Sequence, residues 1–341
     1  MPTHETTHLA LRPYKEEDFT AVHSYAKSAE NTTYMLFGPN TEEETRNFIA
    51  QAIAATSQTP IQKHMLAVTL KETGTLIGGC LLSVKGDNGD LSWILHQDHW
   101  NQGYGTQLAK HLIAFGFESL NLRRITATAC SENHGSYRIM EKAGMRREGM
   151  YQDYRPARKG YHKEYYDEYQ YAILKSDWDT QKEIAHYNAL PCHFTNFIDV
   201  PTLTDGNIYL VCKEKYPANP EKKYVPSYNF AICKKGEIIG YIGLRIGYTD
   251  GLYYGGQIGY GVDEAHRGQG YAVTACRLII PVAKAHGMET LLITNNYTNT
   301  PSMRVCEKLG AKLIRKARLP EWADLYKEGQ RFSNIYEWSI K

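Results

Sequence analysis

Apolar and polar residues follow one another along the chain in an order that occurs twice. Short segments of period two, typical of half-buried strands, alternate with longer segments of helical period. The elements predicted for the first half are a strand at 9–12, helices at 18–29 and 41–56, a hairpin of 65–70 and 76–84, a strand at 90–95, a helix at 107–117, and strands at 124–129 and 165–174. Those predicted for the second half are a strand at 208–212, a hairpin of 228–233 and 238–246, a strand at 257–262, a helix at 273–286 and a strand at 290–294.

This order predicts an α/β protein of two tandem units. The first comprises residues 1–178 and the second residues 206–341, and each is long enough to bury its own core. A linker at 179–205, beginning in a polar helix, joins them. A polar, tyrosine-rich loop is expected at 149–163.

The two halves differ in the segment before the hairpin. The first half has 52 residues there, 13–64, which is enough for two helices. The second half has about 15, 213–227, and they are rich in proline and lysine. The second unit is therefore expected to lack a helical segment that the first possesses.

A glycine-containing segment lies between a predicted strand and a predicted helix in each half. The two read Trp100-Asn-Gln-Gly-Tyr-Gly105 and Arg267-Gly-Gln-Gly-Tyr-Ala272. Glycine lets the backbone turn tightly and approach a ligand, and the first amides of a helix are unpaired donors at its positive end. Both segments are therefore typical of a site for an anionic group, most often a phosphate.

Two further motifs follow both glycine segments at matched distances. An Asn-x-x-Ser motif begins 30 residues after Gly103, at Asn133, and 29 residues after Gly270, at Asn299. A Glu-Lys-x-Gly motif ends 41 and 40 residues after the same glycines. This match counts against two ordinary strand-to-helix turns as the explanation.

These motifs resemble those of the GCN5-related N-acetyltransferases (GNAT), which bind acetyl-CoA. Residues 267–272 fit the Gln/Arg-x-x-Gly-x-Gly/Ala pattern of that family fully. The first copy has Trp100 at the Arg/Gln position, as the RimJ/RimL-like branch often does, and Leu11-Arg12-Pro13 also resembles that branch. The first resemblance covers residues 8–178 and the second roughly 206–341.

The resemblance implies that each unit is a mixed, mostly antiparallel sheet flanked by helices, with CoA where two parallel strands splay apart. It implies that the amides of the glycine turn hold the pyrophosphate, and that a backbone amide of the preceding strand polarises the thioester carbonyl. The CoA-binding residues expected in the first unit are Leu95, Asn101, Gln102, Gly103, Tyr104, Gly105, Thr106 and Asn133. Those expected in the second unit are Val262, Arg267, Gly268, Gln269, Gly270, Tyr271, Ala272, Asn299 and Ser302.

The resemblance also points to a general base at the head of the strand before the glycine turn. This branch often has a Glu there, which deprotonates the amine directly or through water. Asp90 occupies the position in the first unit, whereas the second has Gln257, which cannot take a proton. The alternative for Asp90 is a place in a solvated turn, Asp87-Asn-Gly-Asp90.

The sequence indicates the general acid less clearly than the general base. Many relatives carry a Tyr, to protonate the leaving thiolate, where this chain has Met140 and Cys306. Ser136 is a substitute in the first unit, although it is equally suited to capping a helix, and Tyr137 is a further candidate. Cys306 has a thiol of usable pKa, and its alternative is a buried structural role.

The composition of the chain argues against several classes of protein. A formal net charge of +2 gives no basic face that predicts nucleic-acid binding, and neither a membrane span nor an apolar leader is evident. Seven cysteines without a Cys-x-x-Cys pair, and no His-x-x-x-His on a helix, predict neither disulfides nor a metal site. A cytoplasmic protein without a metal is expected.

The function favoured by these features is acetyl-CoA-dependent N-acetylation of a primary amine by direct attack. The acceptor expected is a small-molecule amine or a peptide N-terminus, and the first unit has the more complete site, because the missing helical segment normally forms a wall of the acceptor pocket. Two alternatives stay open: acyl-CoA binding without turnover by one or both units, or one acceptor cleft shared by the units. A Rossmann-type site is disfavoured, because neither copy has a full Gly-x-Gly-x-x-Gly.

Overall fold

The computed structural model of the protein describes residues 4–157 and 164–341. The chain divides into two compact units, Met1–Asp179 and Thr180–Lys341. The end of the expected tyrosine-rich loop, 158–163, lies outside the described residues. Both units combine sheets with flanking helices, which confirms the predicted fold class.

The first unit is built on one eight-stranded sheet of order β1-β2-β3-β4-β5-β6-β8-β7. Strands β5 and β6 are parallel, and the other neighbouring strands are antiparallel. The elements are β1 His4–Glu5, β2 Leu9–Pro13, α1 Phe19–Ala26, α2 Glu42–Thr56, β3 Lys63–Leu70, β4 Leu76–Lys85, β5 Asn88–Leu95, α3 Tyr104–Glu118, β6 Arg124–Cys130, α4 His134–Lys142, β7 Arg146–Pro156 and β8 Tyr165–Leu174.

Helices pack against both faces of this sheet. One face buries Leu91 of β5 with Leu108 of α3. The other packs Ile94 of β5 with α1 and α2, near Ile49. Because successive side chains of a strand point to opposite faces, Asp90 shares the face of Ile94 and looks toward the α1 and α2 side.

Helix α2 begins where the sequence predicts. Thr41 Oγ1 accepts a hydrogen bond from Glu44 N at 3.2 Å, and the Glu44 carboxylate accepts one from Thr41 N at 2.7 Å. This reciprocal pair satisfies two backbone amides at the helix start. The helix-bearing segment between β2 and β3 is therefore specified locally by its own sequence.

Two local predictions for the first unit are corrected. Residues 149–156, expected as a loop, belong to β7, an edge strand whose residues are nearly all exposed and show no apolar alternation. The turn expected at 87–90 is shorter, because residues 88–90 lie in β5. Asp90 is paired there with Ser83 of β4 and Thr126 of β6, so it stands on a strand and not in a solvated turn.

The second unit contains two separate antiparallel sheets, of order β13-β12-β11-β10-β9 and β14-β16-β15. Helix α5 begins in the last residues of the first unit and continues into the second. The elements are α5 Lys175–Asn188, β9 Leu203–Thr204, β10 Tyr209–Tyr216, β11 Ser227–Lys234, β12 Glu237–Arg245, α6 Asp250–Gly255, β13 Ile258–Val262, α7 Tyr271–Leu278, α8 Ile280–Ala285, β14 Thr290–Asn296, α9 Thr300–Leu309, β15 Lys312–Arg318, α10 Asp324–Lys327 and β16 Phe332–Ser339.

The core of the second unit lies between its sheets and helices α7 to α9. Phe230 and Ile242 of the five-stranded sheet are fully buried there with Cys276 of α7. Side chains from the expected linker, Phe194 and Phe197 among them, pack against this core. Most of that segment therefore contributes to the second unit.

The sequence between 213 and 227, all of it described, contains no helix, as its composition predicts. Strand β10 continues to Tyr216, and a tight loop follows in which Asn219 and Tyr224 exchange two backbone hydrogen bonds of 2.9 Å. The helix expected at 273–286 is divided into α7 and α8, because Pro281 has no backbone N–H to continue it.

Candidate functional site

Strands β5 and β6 run side by side for only part of their length. Their ladder pairs residues 88–91 with 124–127 and then ends. Strand β5 nevertheless continues to Leu95, and β6 to Cys130. A gap therefore opens between the two parallel strands toward their carboxyl ends.

Two backbone N–H groups of β5 point into this gap. His96 N donates to Ile77 O of β4 at 2.7 Å, and alternate residues of a strand direct their backbone groups to opposite sides. The N–H groups of Trp93 and Leu95 therefore point away from β4. Beyond Leu91, no strand among the described residues pairs with them on that side.

Strands β13 and β14 form a corresponding gap in the second unit. Within its described residues no ladder joins the two strands. Asp263 N donates to Ile239 O of β12 at 2.9 Å, so that by the same alternation the backbone groups of Tyr260 and Val262 face β14. The predicted splayed parallel pair is thus present in the first unit, whereas in the second unit β13 and β14 belong to different sheets.

Gln257 closes the base of the gap in the second unit. Its side-chain oxygen accepts a hydrogen bond from Leu292 N at 2.6 Å, and its Nε2 donates to Gly247 O at 3.0 Å. The residue is fully buried, and its own backbone N donates to Leu292 O at 2.8 Å. At the position that Asp90 occupies in the first unit, the second unit therefore has a glutamine whose hydrogen bonds link the start of β13 to β14.

The two glycine turns have the same backbone conformation. Asn101 and Gly103 have φ of 58° and 82°, and Gly268 and Gly270 have φ of 78° and 84°. Gly103 and Gly270 each precede the first residue of a helix and offer no side-chain cap, so the first amides of α3 and α7 remain available to an anion. A Cβ placed on either glycine would meet no protein atom within 4 Å.

Trp100 and Arg267 make the same hydrogen bond in the two units. Trp100 Nε1 donates to Leu95 O at 2.8 Å, and Arg267 Nε donates to Val262 O at 3.0 Å. Each ties the glycine turn to the last carbonyl of the preceding strand. The departure of Trp100 from the family pattern therefore preserves the donor.

Several side chains of the turns are engaged by the protein itself. Gln102 Nε2 donates to Asp98 O at 2.9 Å, and Tyr271 is buried with its hydroxyl donating to Gln269 Oε1 at 2.7 Å. Gly105 lies against α4, where an added Cβ would be 2.4 Å from Ile139 Cδ1. These residues therefore present mainly backbone to a ligand, as does Tyr104, whose ring packs against the core.

The Asn-x-x-Ser motifs begin helices α4 and α9. The side-chain oxygens of Asn133 and Asn299 accept hydrogen bonds from the backbone N of Ser136 and Ser302, both at 3.1 Å. The asparagines are thus the N-caps, and the serines are not. The Ser302 hydroxyl is 3.0 Å from Tyr260 Oη, whereas none of the described residues bonds to the Ser136 hydroxyl.

Asp90 is the ionisable candidate best placed at the gap. Its Oδ1 accepts a hydrogen bond from Thr126 Oγ1 at 2.8 Å across the parallel pair. Loss of hydration raises the pKa of Asp90 above its ordinary value, the charge of nearby Glu168 adds to this, and the Thr126 hydrogen bond opposes it. The carboxyl is exposed on the α1 and α2 side, so it remains reachable.

Cys306 lies in a different setting. It is fully buried in the core of the second unit, and Asn295 Nδ2 donates to its Sγ at 3.7 Å. Burial raises the pKa of the Cys306 thiol to about 12. Its position favours a packing role, as does that of Met140 in the first core.

Three residues at the first gap have no motif in the sequence. Asn31 Nδ2 donates to Leu95 O at 2.7 Å, and Asn31 Oδ1 accepts from Gln97 N at 2.8 Å. Arg155 Nε donates to the Glu168 carboxylate at 2.5 Å, and its Nη1 reaches a backbone carbonyl of the loop between α1 and α2 at 2.8 Å. In the sequence, only the opposite charges of Arg155 and Glu168 could have indicated such a contact. Their separation of 13 residues matches neither a helix turn nor a hairpin pair, so the sequence does not predict it.

A model of the acetyltransferase (GNAT) domain matches this sequence at residues 8–146 and again at 166–312. The chain belongs to the GNAT acetyltransferase family. Two bacterial relatives bear the name N-acetyltransferase: YnaD of Bacillus subtilis, 32% identical over 51% of this chain and 98% of its own, and p20 of Bacillus licheniformis, 30% identical over 52% and 99%. The protein is accordingly an N-acetyltransferase.

The same family is found among solved structures. A GNAT-family acetyltransferase from Bacillus anthracis is 32% identical, with a TM-score of 0.45, and the match covers 51% of this chain and 99% of that one. In the described residues of this protein, no helix is long and apolar enough to cross a membrane, and no cluster of three or more His, Cys, Asp or Glu has a geometry that could hold a metal ion.

Proposed function

We propose that the first unit transfers the acetyl group of acetyl-CoA to a primary amine, with Asp90 as general base. The observation that carries this proposal is the position of Asp90 beside the gap between β5 and β6. A carboxyl whose pKa is raised is a stronger base than an ordinary one, and Asp90 is exposed on the side of the sheet that faces α1 and α2.

Acetyl-CoA is assigned to the gap and the glycine turn. The first amides of α3 suit the pyrophosphate, and the N–H groups of Trp93 and Leu95 suit the pantetheine arm and the thioester oxygen. One well-aimed donor to that oxygen contributes about 3 kcal/mol to catalysis. Asn133 and residues 101–106 complete the proposed CoA site.

The proposed reaction is direct. The amine nitrogen attacks the thioester carbon, the new C–N bond forms, and the C–S bond breaks. The proton lost by the amine passes to Asp90, directly or through water. The leaving thiolate takes a proton through the Ser136 hydroxyl, which passes on its own proton and regains one from water, so that the serine stays neutral. This hydroxyl is half-buried and makes no hydrogen bond to the described residues.

The acceptor is proposed to be a small amine or a peptide N-terminus. Its entrance would be formed by the loop between α1 and α2, where Leu36 and Phe37 are exposed, and by Tyr151 and Tyr154 of β7. An apolar and aromatic rim suits the uncharged part of such an acceptor, and Asp90 suits its amine.

Replacement of Asp90 by Asn tests the assignment. We expect kcat to fall about 100-fold or more, while the dissociation constant of acetyl-CoA stays within a factor of two. Turnover would be measured as thiol release with spermidine, an alanine-initiated peptide and free amino acids as acceptors. Asp87→Asn is the matched control, because Asp87 carries the same charge in the adjacent turn and pairs with Arg123. Undiminished turnover in Asp90→Asn would remove Asp90 from the role.

A second proposal concerns the second unit, which we infer binds CoA without catalysing transfer. Gln257 is committed to β14, Ser302 is engaged by Tyr260, and Cys306 is buried. No residue in these positions is free to move a proton. Residual transfer in the Asp90→Asn chain at a tenth of the original rate or more would contradict this inference.

A further inference from the structure

The second unit contains a cavity on the face of its five-stranded sheet that is turned away from the core. Its volume is about 350 Å³, within the usual range for small-molecule sites. In the first unit α1 and α2 pack on the corresponding face of the sheet. In the second unit the segment 213–227 contains no helix to do so.

The strand register shows how the cavity is built. Asn229, Gly243 and Gly259 lie in one row across β11, β12 and β13. Neither glycine has a side chain to fill the space above it, and a Cβ on Gly243 would come no closer than 3.7 Å to any atom. The two glycines therefore form the floor, and Asn229 stands at its end.

Tyr241 and Arg245 stand on either side of that floor. They are the residues two before and two after Gly243 on β12, so all three share one face of the sheet. The Arg245 guanidinium leans over Gly259, with Nη1 3.6 Å from the position of an added Cβ. Tyr216 also lines the cavity. It pairs with Ser227 of β11, which in turn pairs with Arg245 of β12, so Tyr216 and Arg245 lie in one row across the sheet.

Arg245 has no acidic partner among the residues that the structure describes. Its one side-chain hydrogen bond among the described residues is from Nη1 to Gly256 O at 3.2 Å, and none of their carboxylates lies within ion-pair distance. Two carboxylates of the same unit are hydrogen-bonded to tyrosine hydroxyls: Glu214 accepts from the Tyr216 hydroxyl, and Asp324 accepts from the Tyr224 hydroxyl. Arg245 is exposed as a residue, although neighbouring groups withdraw part of the water from its guanidinium and so lower the pKa of Arg245. Its charge is therefore available to an anion that enters the cavity.

We propose that this cavity binds a small molecule that carries a carboxylate, with Arg245 as its anchor. The guanidinium fork matches a carboxylate in two parallel hydrogen bonds, and the Asn229 amide offers a further donor. Tyr241 and Tyr216, both about half exposed, provide aromatic surface for the rest of the ligand. A carboxylate opposite Arg245 is the reverse of the amine that Asp90 suits, so the two units would recognise different molecules.

The test uses the full chain with phenylacetate as the probe and phenylacetamide as its uncharged match, both measured by calorimetry. We expect phenylacetate to bind at least tenfold more tightly than the amide, and Arg245→Gln to abolish that difference. Gly243→Val, which fills the floor, should weaken both ligands. Arg331→Gln is the control, because Arg331 also donates only to backbone carbonyls, at 3.1 Å and 3.2 Å.

A second readout separates binding from structure. Because Arg245 makes no ion pair in the described chain, Arg245→Gln should leave the melting temperature unchanged or raise it, whereas loss of a structural arginine lowers it. The proposal is overturned if neither ligand binds, if the two bind equally, or if Arg245→Gln still prefers the carboxylate. None of these results bears on acetyl transfer, which the Asp90 variants test separately.

Discussion

At the scale of single residues, the two units use different side chains at equivalent positions, and the consequences differ from pair to pair. Trp100 and Arg267 differ in size and charge and yet make the same bond to the last carbonyl of a strand. Asp90 and Gln257 are both polar, and yet one accepts a hydrogen bond across a parallel strand pair and the other holds a backbone amide of β14. The partner of a side chain, and not its type, decides whether a substitution is conservative.

Trp100 can be tested by two substitutions for which losses of different size are expected. Trp100→Phe removes the indole N–H and should lower the free energy of unfolding by about 1 kcal/mol, the usual net value of one hydrogen bond. Trp100→Arg should lower it less, because an arginine N–H reaches the equivalent carbonyl in the second unit. Urea unfolding of the full chain, followed by circular dichroism, measures both. Equal losses would show that the ring, and not the donor, matters at this position.

Gln257 offers a test of the proposal that the second unit has no general base. Gln257→Glu would place a carboxyl at a fully buried position and remove the donor to Gly247 O. We expect a loss of about 3 kcal/mol or more in unfolding free energy, and no gain of acetyl transfer in the Asp90→Asn background. Gln269→Glu, exposed in the same unit, is the control. A Gln257→Glu chain as stable as the original would contradict a structural role for the hydrogen bonds of the Gln257 side chain.

At the scale of elements, the glycine turn is the part of the site that sequence specifies most fully. Its conformation depends on a few adjacent residues, and both copies adopt it. The strand gap beside it depends on where a ladder ends, which no local pattern records. Strand β7 escaped prediction because an exposed edge strand shows no apolar alternation, and the helix expected at 273–286 was divided by one proline.

The candidate site residues follow the same division. Asp90, Gly103 and Asn133 are candidates from spacing and resemblance, and they lie beside one gap or at the start of adjoining helices. Asn31 was not predicted, because a loop residue that reaches a strand 64 positions away leaves no trace in either local sequence. Arg245 was not predicted either, since its isolation from acids depends on the register of four strands.

Calorimetry with acetyl-CoA tests both turns together. Gly103→Val and Gly270→Val each force a β-branched residue into left-handed backbone and place a side chain where the phosphates would lie. Two sites per chain are expected for the original protein, with one lost in each variant. Gly206→Val is the control for strain alone, because Gly206 has φ of 89° in a loop outside the turns. Two sites remaining in Gly103→Val would exclude the first turn from CoA binding.

At the scale of the whole molecule, the chain combines two copies of one fold with different chemistry on each. The first has an acid on a sheet face beside a parallel gap, and the second has on the equivalent face an arginine that forms no ion pair with the described part of the chain. Formal charge nearly cancels over the chain, at +2, so neither feature is visible in composition. The difference appears only when each sheet is considered with its own register.

The stability of the chain is expected to fall in mild acid. His64 is buried, neither ring nitrogen has a hydrogen-bond partner in the described chain, and burial lowers the pKa of His64 below 6.5. The unfolded chain therefore binds more protons than the folded one as pH falls through and below 6.5, so the free energy of unfolding decreases there and is fully retained above. Urea unfolding at pH 7.5 and 5.5 measures this, and the His64→Leu chain should lose less. His134→Leu, at an exposed site, is the control; an equal loss in all three chains would contradict the assignment.

Asn31 connects the end of β5 to the loop between α1 and α2 in the first unit. One side chain holds both the carbonyl at the end of β5 and the amide of Gln97, while its backbone belongs to the loop on the acceptor side. A shift of the strand end when the cofactor enters would therefore move that loop, and closure of the loop would act back on the strand. Such linkage is reciprocal by thermodynamic necessity. The binding of the two substrates should accordingly be coupled, each changing the affinity of the enzyme for the other by the same factor.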